Sequence, residues 1–212
     1  MKLTIMGPPG GGKGTQAEKL NETLNIPHIS TGAIIRSAIR EKTELGLLAE
    51  GYIAEGHLVP DEVVIDMVAK RVQEADCENG YILDGFPRTL PQAQAMESIG
   101  IDLDYALNLV VSDDVIVSRL CGRRECKVCA APFHIKSNPP QKEGVCDRCG
   151  GELIKRADDV PETIRERLRV YHSQTEPLIE FYKEKGLLVN VTGRDNIKET
   201  TDAVLEALGV QL

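Results

Sequence analysis

Gly7-Pro-Pro-Gly-Gly-Gly-Lys-Gly-Thr15 is the stretch of sequence that decides the fold of this chain. It follows a short apolar run from Lys2 to Met6, which predicts a strand, and it leads into a stretch that predicts a helix from about Lys13 to Leu24. The spacing G-x-x-x-x-G-K between a strand and a helix is typical of a phosphate-binding loop. Glycines let backbone N–H groups turn toward phosphate oxygens, and the helix N-terminus adds a partial positive charge.

The residues of this loop have separate expected roles. Lys13 supplies a point charge that can follow a transferred phosphoryl group. Thr15 offers a hydroxyl to the phosphates or to Mg²⁺. The expected backbone cradle consists of Gly10, Gly11, Gly12 and Gly14. A glycine-rich turn with a lysine by chance is the alternative, and the strand–loop–helix context argues against it.

Apolar runs recur along the rest of the chain, and each is followed by a helical pattern. Strands that alternate with helices predict an α/β fold with a parallel, doubly wound sheet and helices on both faces. Together with Lys2 to Met6 they make five strands. The four further runs are His28-Ile29, Gly80 to Leu83, Tyr105 to Val111 and Leu187 to Val191. Ser112 is expected to cap the helix after the third of these, whose first turn holds Asp113 and Asp114.

Two segments interrupt this alternation and divide the chain into a core and two inserts. Residues 30–59 predict helices that begin at Ser30 as the N-cap and end before Pro60. Residues 122–159 contain the paired cysteines and turn-forming residues. The core then consists of residues 1–29, 60–121 and 160–212. Its last part begins with a long helix at Pro161, which we expect Pro177 to kink or divide.

Composition excludes several classes of protein. The 212 residues include 25 Lys or Arg and 33 Asp or Glu, so the formal net charge is −8, which does not suit a surface that coats nucleic acid. No apolar run approaches the roughly 20 residues of a membrane span. The apolar stretch at the N-terminus is too short for a signal peptide. These features predict a cytoplasmic location.

Four of the six cysteines form two CxxC pairs, while Cys77 and Cys121 stand alone. The pairs are Cys126/Cys129 and Cys146/Cys149, a spacing typical of a zinc ribbon. Four thiolates leave no open coordination position, so we expect one structural Zn²⁺ per chain. Two disulfides are disfavoured in a reducing compartment, and four unrelated buried cysteines are the remaining alternative.

Six short motifs occur along the chain in an order that is characteristic of one protein family. They are GPPGGGKGT (7–15), STGAIIR (30–36), GHLVPDE (56–62), LDGFPRT (83–89) with Gln92, GRR (122–124) and KRADD (155–159). This series resembles adenylate kinase, in the long form whose lid carries a zinc ribbon, over essentially the whole chain. The resemblance implies the reaction ATP + AMP ⇌ 2 ADP with Mg²⁺. It also implies that residues 30–59 close over AMP, that residues 122–159 close over ATP as a lid, and that the protein is a monomer.

The resemblance further implies roles for individual residues. Arg36 and Arg88 would hold the AMP phosphate, because a planar guanidinium suits phosphate oxygens. Arg119 would stack on the ATP adenine. The implied catalytic residues are Lys13, Arg88, Arg123, Arg156, Arg167 and Asp84. The implied ATP site consists of the loop residues 10–15 with Arg119, Arg123, Pro132 and Phe133. The implied AMP site consists of Thr31, Gly32, Arg36, His57, Leu58, Val59, Gly85, Phe86, Pro87, Arg88, Gln92, Arg156 and Arg167.

Several of these residues also have a structural interpretation. Asp84 ends an apolar strand, where it could meet Mg²⁺ or its waters or simply begin a turn. Gln92 could face the AMP adenine or complete a T-x-x-Q capping box with Thr89. The side chain of His57 is expected to be exposed and to have no chemical role, so that only its backbone contributes. Phe86-Pro87 is a candidate cis peptide bond.

The chain departs from the family pattern at two positions. Ala33 stands where the family motif has Asp, so no carboxylate there can pair with lid arginines. Pro132 stands where the family more often has a hydroxyl residue. Alternatives remain open: a kinase for UMP, CMP or GMP on the same frame, GTP as the donor, or a zinc-ribbon module that binds nucleic acid. The last is disfavoured, because the cysteine insert lacks a row of aromatic residues for base stacking. We therefore expect ATP, AMP and ADP as partners, with no nucleic acid and no membrane.

Overall fold

The computed structural model describes residues 1–194 and 196–210. Its strands, in chain order, are β1 (Lys2–Met6), β2 (His28–Ser30), β3 (Tyr81–Asp84), β4 (Tyr105–Val110), β5 (Arg123–Cys126), β6 (Pro132–His134), β7 (Leu153–Ile154) and β8 (Leu188–Thr192). Its α-helices are α1 (Lys13–Leu24), α2 (Thr31–Glu41), α3 (Glu44–Glu55), α4 (Asp61–Arg71), α5 (Leu90–Ser98), α6 (Asp113–Gly122), α7 (Pro161–Val170), α8 (Leu178–Glu184) and α9 (Ile197–Ala207). None of the helices in these ranges is long and apolar enough to cross a membrane.

The central sheet confirms the predicted α/β fold. Five parallel strands lie in the order β2-β3-β1-β4-β8, with Thr4 of β1 opposite Leu83 of β3 on one side and Ala106 of β4 on the other. Strands covered by helices on both faces bury consecutive residues. Ala106, Leu107 and Leu109, for example, are fully buried, and Asn108 between the two leucines is 3% exposed.

The strand order places a crevice at the carboxyl end of β1. From β1 the chain crosses to β2 at one edge, returns through β3, and then continues on the other side of β1 at β4. In open parallel sheets, ligands bind at the carboxyl ends of the strands, at the point where the strand order reverses. The loop Gly7–Thr15 begins at this point, because it follows Met6 directly.

The segment 30–59 forms two helices, α2 and α3. Ser30 is the N-cap of α2 as predicted, and its Oγ accepts a hydrogen bond from the Ala33 backbone N–H at 3.4 Å. The helices separate at Lys42, which has a positive φ and ends α2, and Thr43, which caps α3. Pro60 then stands at the N-cap of α4.

The cysteine-bearing segment forms a small three-stranded antiparallel sheet in the order β6-β5-β7. Its own buried cluster contains only Cys126, Ala131, Phe133 and Cys146, with Leu153 packed against them. So few apolar side chains bury little surface, which leaves this segment dependent on a further source of stability.

Boundaries and local geometry differ from the expectations at a few places. The strand predicted from Gly80 begins at Tyr81, because Gly80 has a φ of +127° and packs directly against the backbone of Met1. Ser112 is the N-cap residue of α6, but its side chain accepts no hydrogen bond from that helix. The long helix after Pro161 is divided as predicted: residues 171–175 form a π-helical turn, and Pro177 caps α8.

Candidate active site

A cavity of about 1010 Å³ opens at the carboxyl ends of the central strands. It is lined by the glycine-rich loop, α2, the segment after β3, the cysteine-bearing insert and α7. The residues predicted for the nucleotide sites all lie in this lining except Phe86. Phe86 is 1% exposed and packs in a hydrophobic cluster with Val59 and Leu83, so its ring supports the site from below.

The glycine-rich loop is shaped by close contacts that exclude side chains. Gly10 has a φ of +77°, and a Cβ there would lie 2.7 Å from Leu120. The Gly11 backbone N–H donates to the Pro8 carbonyl at 3.0 Å. Lys13 begins α1, and its Nζ donates to the carbonyls of Gly7 and Pro8 at 2.7 and 2.8 Å. The loop therefore wraps around the Lys13 ammonium at the N-terminus of α1.

Burial lowers the pKa of Lys13 to about 7; the positive charges of Arg88, Arg167 and Arg123 contribute to this net shift, and Asp84 opposes it. A lysine in this environment is poised between its neutral and charged forms near neutral pH. An anionic group that entered the cavity would favour the charged form.

Asp84 lies at the end of β3, beside the N-terminus of α1. Its Oδ2 is 3.3 Å from His28 Nε2 and would be 3.4 Å from a Cβ at Gly14. Burial alone would raise the pKa of Asp84, but the hydrogen bond to His28 and the charge of Lys13 outweigh it and hold the pKa below its usual value. The carboxylate is therefore charged and available for a cation.

Arg88 occupies the segment after β3, next to α2. Its Nε donates to the Gly85 carbonyl at 2.8 Å, and the same carbonyl accepts from Thr31 Oγ1 at 2.9 Å. Gly85 has a φ of +77°, and a Cβ there would lie 2.6 Å from Arg88 Nη2. The glycine lets the guanidinium lie against the backbone, and burial lowers the pKa of Arg88.

Gln92 is 2% exposed, and both ends of its amide have partners within the protein. Its Oε1 accepts from the Arg88 backbone N–H at 2.7 Å, and its Nε2 donates to Asp61 Oδ1 at 2.7 Å. Thr89 Oγ1 accepts from the Gln92 backbone N–H, as a capping box requires, but the Gln92 side chain reaches Arg88 and not the Thr89 N–H. Only half of the predicted box is therefore present.

Two arginines meet the Asp158-Asp159 pair at the end of the cysteine-bearing insert. Arg123 donates to both oxygens of Asp159, which is fully buried, at 2.7 and 2.6 Å. Arg167 of α7 lies 2.8 Å from Asp158 and 3.1 Å from Asp159. Burial would raise the pKa of Asp158, but the charges of Arg167 and Arg123 outweigh this effect, so the pKa lies below its usual value. The aspartates thus hold both guanidinium groups at the cavity wall.

Arg36 of α2 and Arg156 of the insert share a different carboxylate, that of Glu125. Arg156 donates to Glu125 Oε2, and Arg36 Nε lies 3.8 Å from Glu125 Oε1. Burial, together with the charges of Arg156 and Arg123, lowers the pKa of Arg36 to about 10. Burial and the charge of Arg123 also lower the pKa of Arg156, and Glu125 opposes both shifts. Buried cations in such a group favour the entry of an anion.

Three predicted residues have partners at the edges of the cavity. Arg119 Nη2 donates to the Arg194 carbonyl at 3.1 Å, near the end of β8. Phe133 is 8% exposed and packs within the insert, beside Pro132. The His57 side chain is exposed as predicted, but its Nε2 lies 3.1 Å from Glu166 Oε1 and so connects the end of α3 with α7.

Comparisons with known proteins agree with this geometry. The family model described as adenylate kinase matches residues 5–187. The chain belongs to the adenylate kinase family. It is 54% identical to the adenylate kinase of Caldicellulosiruptor saccharolyticus, with all of both chains covered. It is 53% identical to that of Clostridium beijerinckii and 52% identical to that of a Geobacillus species, in each case with 99% of both chains covered.

This member of the adenylate kinase family also has the ligands for a metal ion. The sulfurs of Cys126, Cys129, Cys146 and Cys149 all lie within 4.8 Å of one another. Two of the distances, Cys126 to Cys149 and Cys129 to Cys146, are 3.5 and 3.6 Å. A tetrahedron with Zn–S bonds of about 2.3 Å has edges of about 3.8 Å, so the cluster fits such an ion.

The two CxxC turns have matching backbones. In each, the residue after the second cysteine has a positive φ, +57° at Ala130 and +73° at Gly150, and donates to the carbonyl of the first cysteine at 2.9 Å. A positive φ is strained for alanine. The first CxxC turn nevertheless adopts this conformation at Ala130, and the sulfur atoms of both turns lie close together.

Sequence reasoning missed the acidic partners of the arginines. The motif KRADD contains Asp158 and Asp159, and the sequence analysis predicts no role for either. Their position close to an arginine in the same motif is the signal that could have identified them, since a cluster of buried cations needs compensating negative charge. Glu125 and Asp61 are harder to find, because their partners Arg36 and Gln92 are far away in the sequence.

The low pKa of Lys13 predicts that binding of a polyphosphate takes up a proton. At about pH 8.5, Lys13 is largely neutral in the free protein, and phosphates raise its pKa, so binding of ADP should take up close to one proton. Calorimetry in buffers of different ionisation enthalpy measures this uptake. Lys13→Arg should abolish it, because a guanidinium stays charged, and Lys19→Arg on the exposed side of α1 should not. Equal uptake by wild type and Lys13→Arg would contradict the assignment.

Proposed function

We propose that the cavity catalyses the reversible transfer of a phosphoryl group, ATP + AMP ⇌ 2 ADP. The observation that carries the proposal is the convergence of Lys13 with partly buried arginines at the end of a glycine-rich phosphate loop. Phosphoryl transfer between two polyanions depends mainly on positioning and on charge neutralisation. The arginines involved are Arg36, Arg88, Arg123, Arg156 and Arg167.

The donor side of the cavity is the side of the loop. ATP would place its phosphates on the backbone of residues 10–15 and on Lys13, with its adenine near Arg119 and Pro132-Phe133. Arg123 and Arg156 approach from the insert, and Asp159 fixes Arg123 through two hydrogen bonds. A guanidinium held in this way needs little rearrangement when charge develops on the transferred group.

The acceptor side is the side of α2 and of the segment after β3. Arg36 and Arg88 would hold the AMP phosphate, and Thr31, Gly32, Gly85 and the 57–59 backbone would form the walls. Gln92 supports the adenine pocket through the bond from Arg88 N–H to its Oε1 and the bond from its Nε2 to Asp61. AMP binding through its amide would require an exchange of these partners.

The nucleotide would also bring Mg²⁺, and we expect the Asp84 carboxylate to meet the ion or its waters. The fit rests on the charged state of Asp84 beside the loop. Mg²⁺ would supply neutralisation of the phosphate charge. Lys13 and the arginines hold the phosphate oxygens, and the closed cavity excludes the water that would otherwise accept the phosphoryl group.

The division of the chain into a core and two mobile inserts is part of the proposal. Residues 30–59 and 122–159 would close over AMP and ATP, around a core of residues 1–29, 60–121 and 160–212. Two contacts support closure: Arg148 of the second insert lies 3.1 Å from Glu18 of α1, and Arg36 lies near Glu125. Both join an insert to another part of the chain.

We infer that the ion of the cysteine cluster is Zn²⁺, one per chain, with a structural role. Four sulfurs complete a tetrahedral shell, so water and substrate have no position on the metal. The ion would hold together an insert whose own apolar cluster is small. A reduced thiol cluster also favours the cytoplasm. We expect the protein to act as a monomer.

Arg88 provides the test of the acceptor site and of base choice. Formation of ADP from ATP is measured with AMP, UMP, CMP and GMP in turn, and wild type should prefer AMP. Arg88→Ala should weaken AMP at least about thirtyfold, or ~2 kcal/mol, and leave the ATP affinity nearly unchanged. Arg165→Ala, which removes an exposed arginine of α7, is the control. A variant that lost ATP and kept AMP would refute the site map.

The cysteine cluster predicts a separate effect on stability. Metal analysis of freshly purified, reduced protein should find one zinc per chain in wild type and in Cys121→Ser, which changes an exposed cysteine outside the cluster. Cys129→Ser should lose zinc and melt at a lower temperature, while activity persists in the cold. Protein without zinc that kept full stability would rule out this role.

A further inference from the structure

Glu125 is a buried carboxylate in a cavity that otherwise gathers cations. It is 4% exposed, lines the cavity, and lies on β5 of the second insert. A carboxylate near a site for phosphates opposes the binding of anions, so its presence needs a reason. Its two cationic neighbours, Arg36 and Arg156, supply one.

The strand geometry directs Glu125 into the cavity. Side chains alternate along a strand, and Cys126, the next residue, belongs to the buried cysteine cluster. Glu125 therefore shares the opposite face with Arg123, two residues earlier. The backbone pairs of Glu125 with Pro132 and Ile154 hold the central strand in this register.

The charges explain why Glu125 is tolerated there. A buried carboxylate without partners costs several kcal/mol, and a cation on each side offsets that penalty. The benefit is mutual, because Arg36 and Arg156 repel each other and Glu125 counteracts that repulsion. The Nε atoms of both arginines are buried and have no hydrogen-bond partner among the described residues. Glu125 therefore holds the two side chains without saturating their donors.

We propose that Glu125 is a positioning residue for phosphoryl transfer. Its carboxylate holds Arg36 of the first insert beside Arg156 of the second, and so aligns one arginine of the AMP site with one arginine that reaches the transferred group. The proposal rests on the proposed function, since it takes the roles of Arg36 and Arg156 from it.

Ala33 is the reason why the carboxylate that pairs with these arginines, Glu125, has to come from the second insert in this chain. Residues three apart share one face of a helix, so position 33 lies on the face of α2 that carries Arg36. An acidic residue at position 33 would approach the lid arginines from the first insert. The chain has alanine at position 33 and Glu125 on the facing strand. The ion pair between the two inserts therefore joins an arginine of the first insert to a carboxylate of the second.

The test combines removal of the carboxylate with its relocation. Steady-state kinetics with ATP and AMP, melting temperature and zinc content are compared for wild type, Glu125→Gln and the double variant Ala33→Asp/Glu125→Gln. Glu152→Gln is the matched control, because Glu152 is an exposed carboxylate of the same insert, 3.7 Å from Lys127. Turnover of ATP with AMP by wild type tests the proposed function separately.

Glu125→Gln should lower kcat at least about tenfold and change the KM for ATP less than about twofold, with zinc content close to wild type. Its melting temperature should fall, because Arg36 and Arg156 lose the carboxylate that offsets their repulsion. The double variant should recover at least about threefold of the lost kcat, and Glu152→Gln should match wild type. A kcat of Glu125→Gln within about twofold of wild type would overturn the proposal. So would a double variant no more active than Glu125→Gln, whether or not the single variant folds well.

Discussion

Burial of several positive charges around one cavity is the constraint on which this structure depends. Each buried guanidinium loses hydration, and each neighbouring cation adds repulsion, as the lowered pKa values of Lys13, Arg36 and Arg88 indicate. The protein offsets part of this charge with buried carboxylates, Asp159 and Glu125 among them. The rest of the charge remains available to phosphates. Affinity for polyanionic nucleotides and compensation within the protein are therefore two parts of one electrostatic balance.

The fold supports this balance by bringing distant segments to one edge of a sheet. Lys13 comes from the loop after β1, Arg88 from the segment after β3, and Arg167 from α7 beyond the second insert. The central sheet fixes the positions of Lys13 and Arg88, because β1 and β3, which precede them, pair directly in its interior. The insert arginines depend on a small sheet and a cluster of four cysteines. A metal ion there would act on catalysis only through the positions of those arginines.

Much of the fold and of the site could be predicted from the sequence, because its signals are local. The loop Gly7–Thr15 and the apolar runs determine the parallel sheet, and the CxxC spacing indicates the cysteine cluster. Contacts between distant residues could not be predicted. The bond from Gln92 to Asp61 spans 31 residues, and the Phe86 ring packs under the cavity and not in its wall. The Glu125 bridge depends on the register of β5 and on how closely the two inserts approach.

Competition by a molecule that links two adenosines through a chain of phosphates tests the central claim most directly. Under the proposed function, one continuous set of cations binds ATP and AMP together, with their phosphates facing each other. Such a molecule should bind once per chain and inhibit competitively against ATP and also against AMP. Competition with only one of the two nucleotides, or two molecules bound per chain, would contradict a shared cavity.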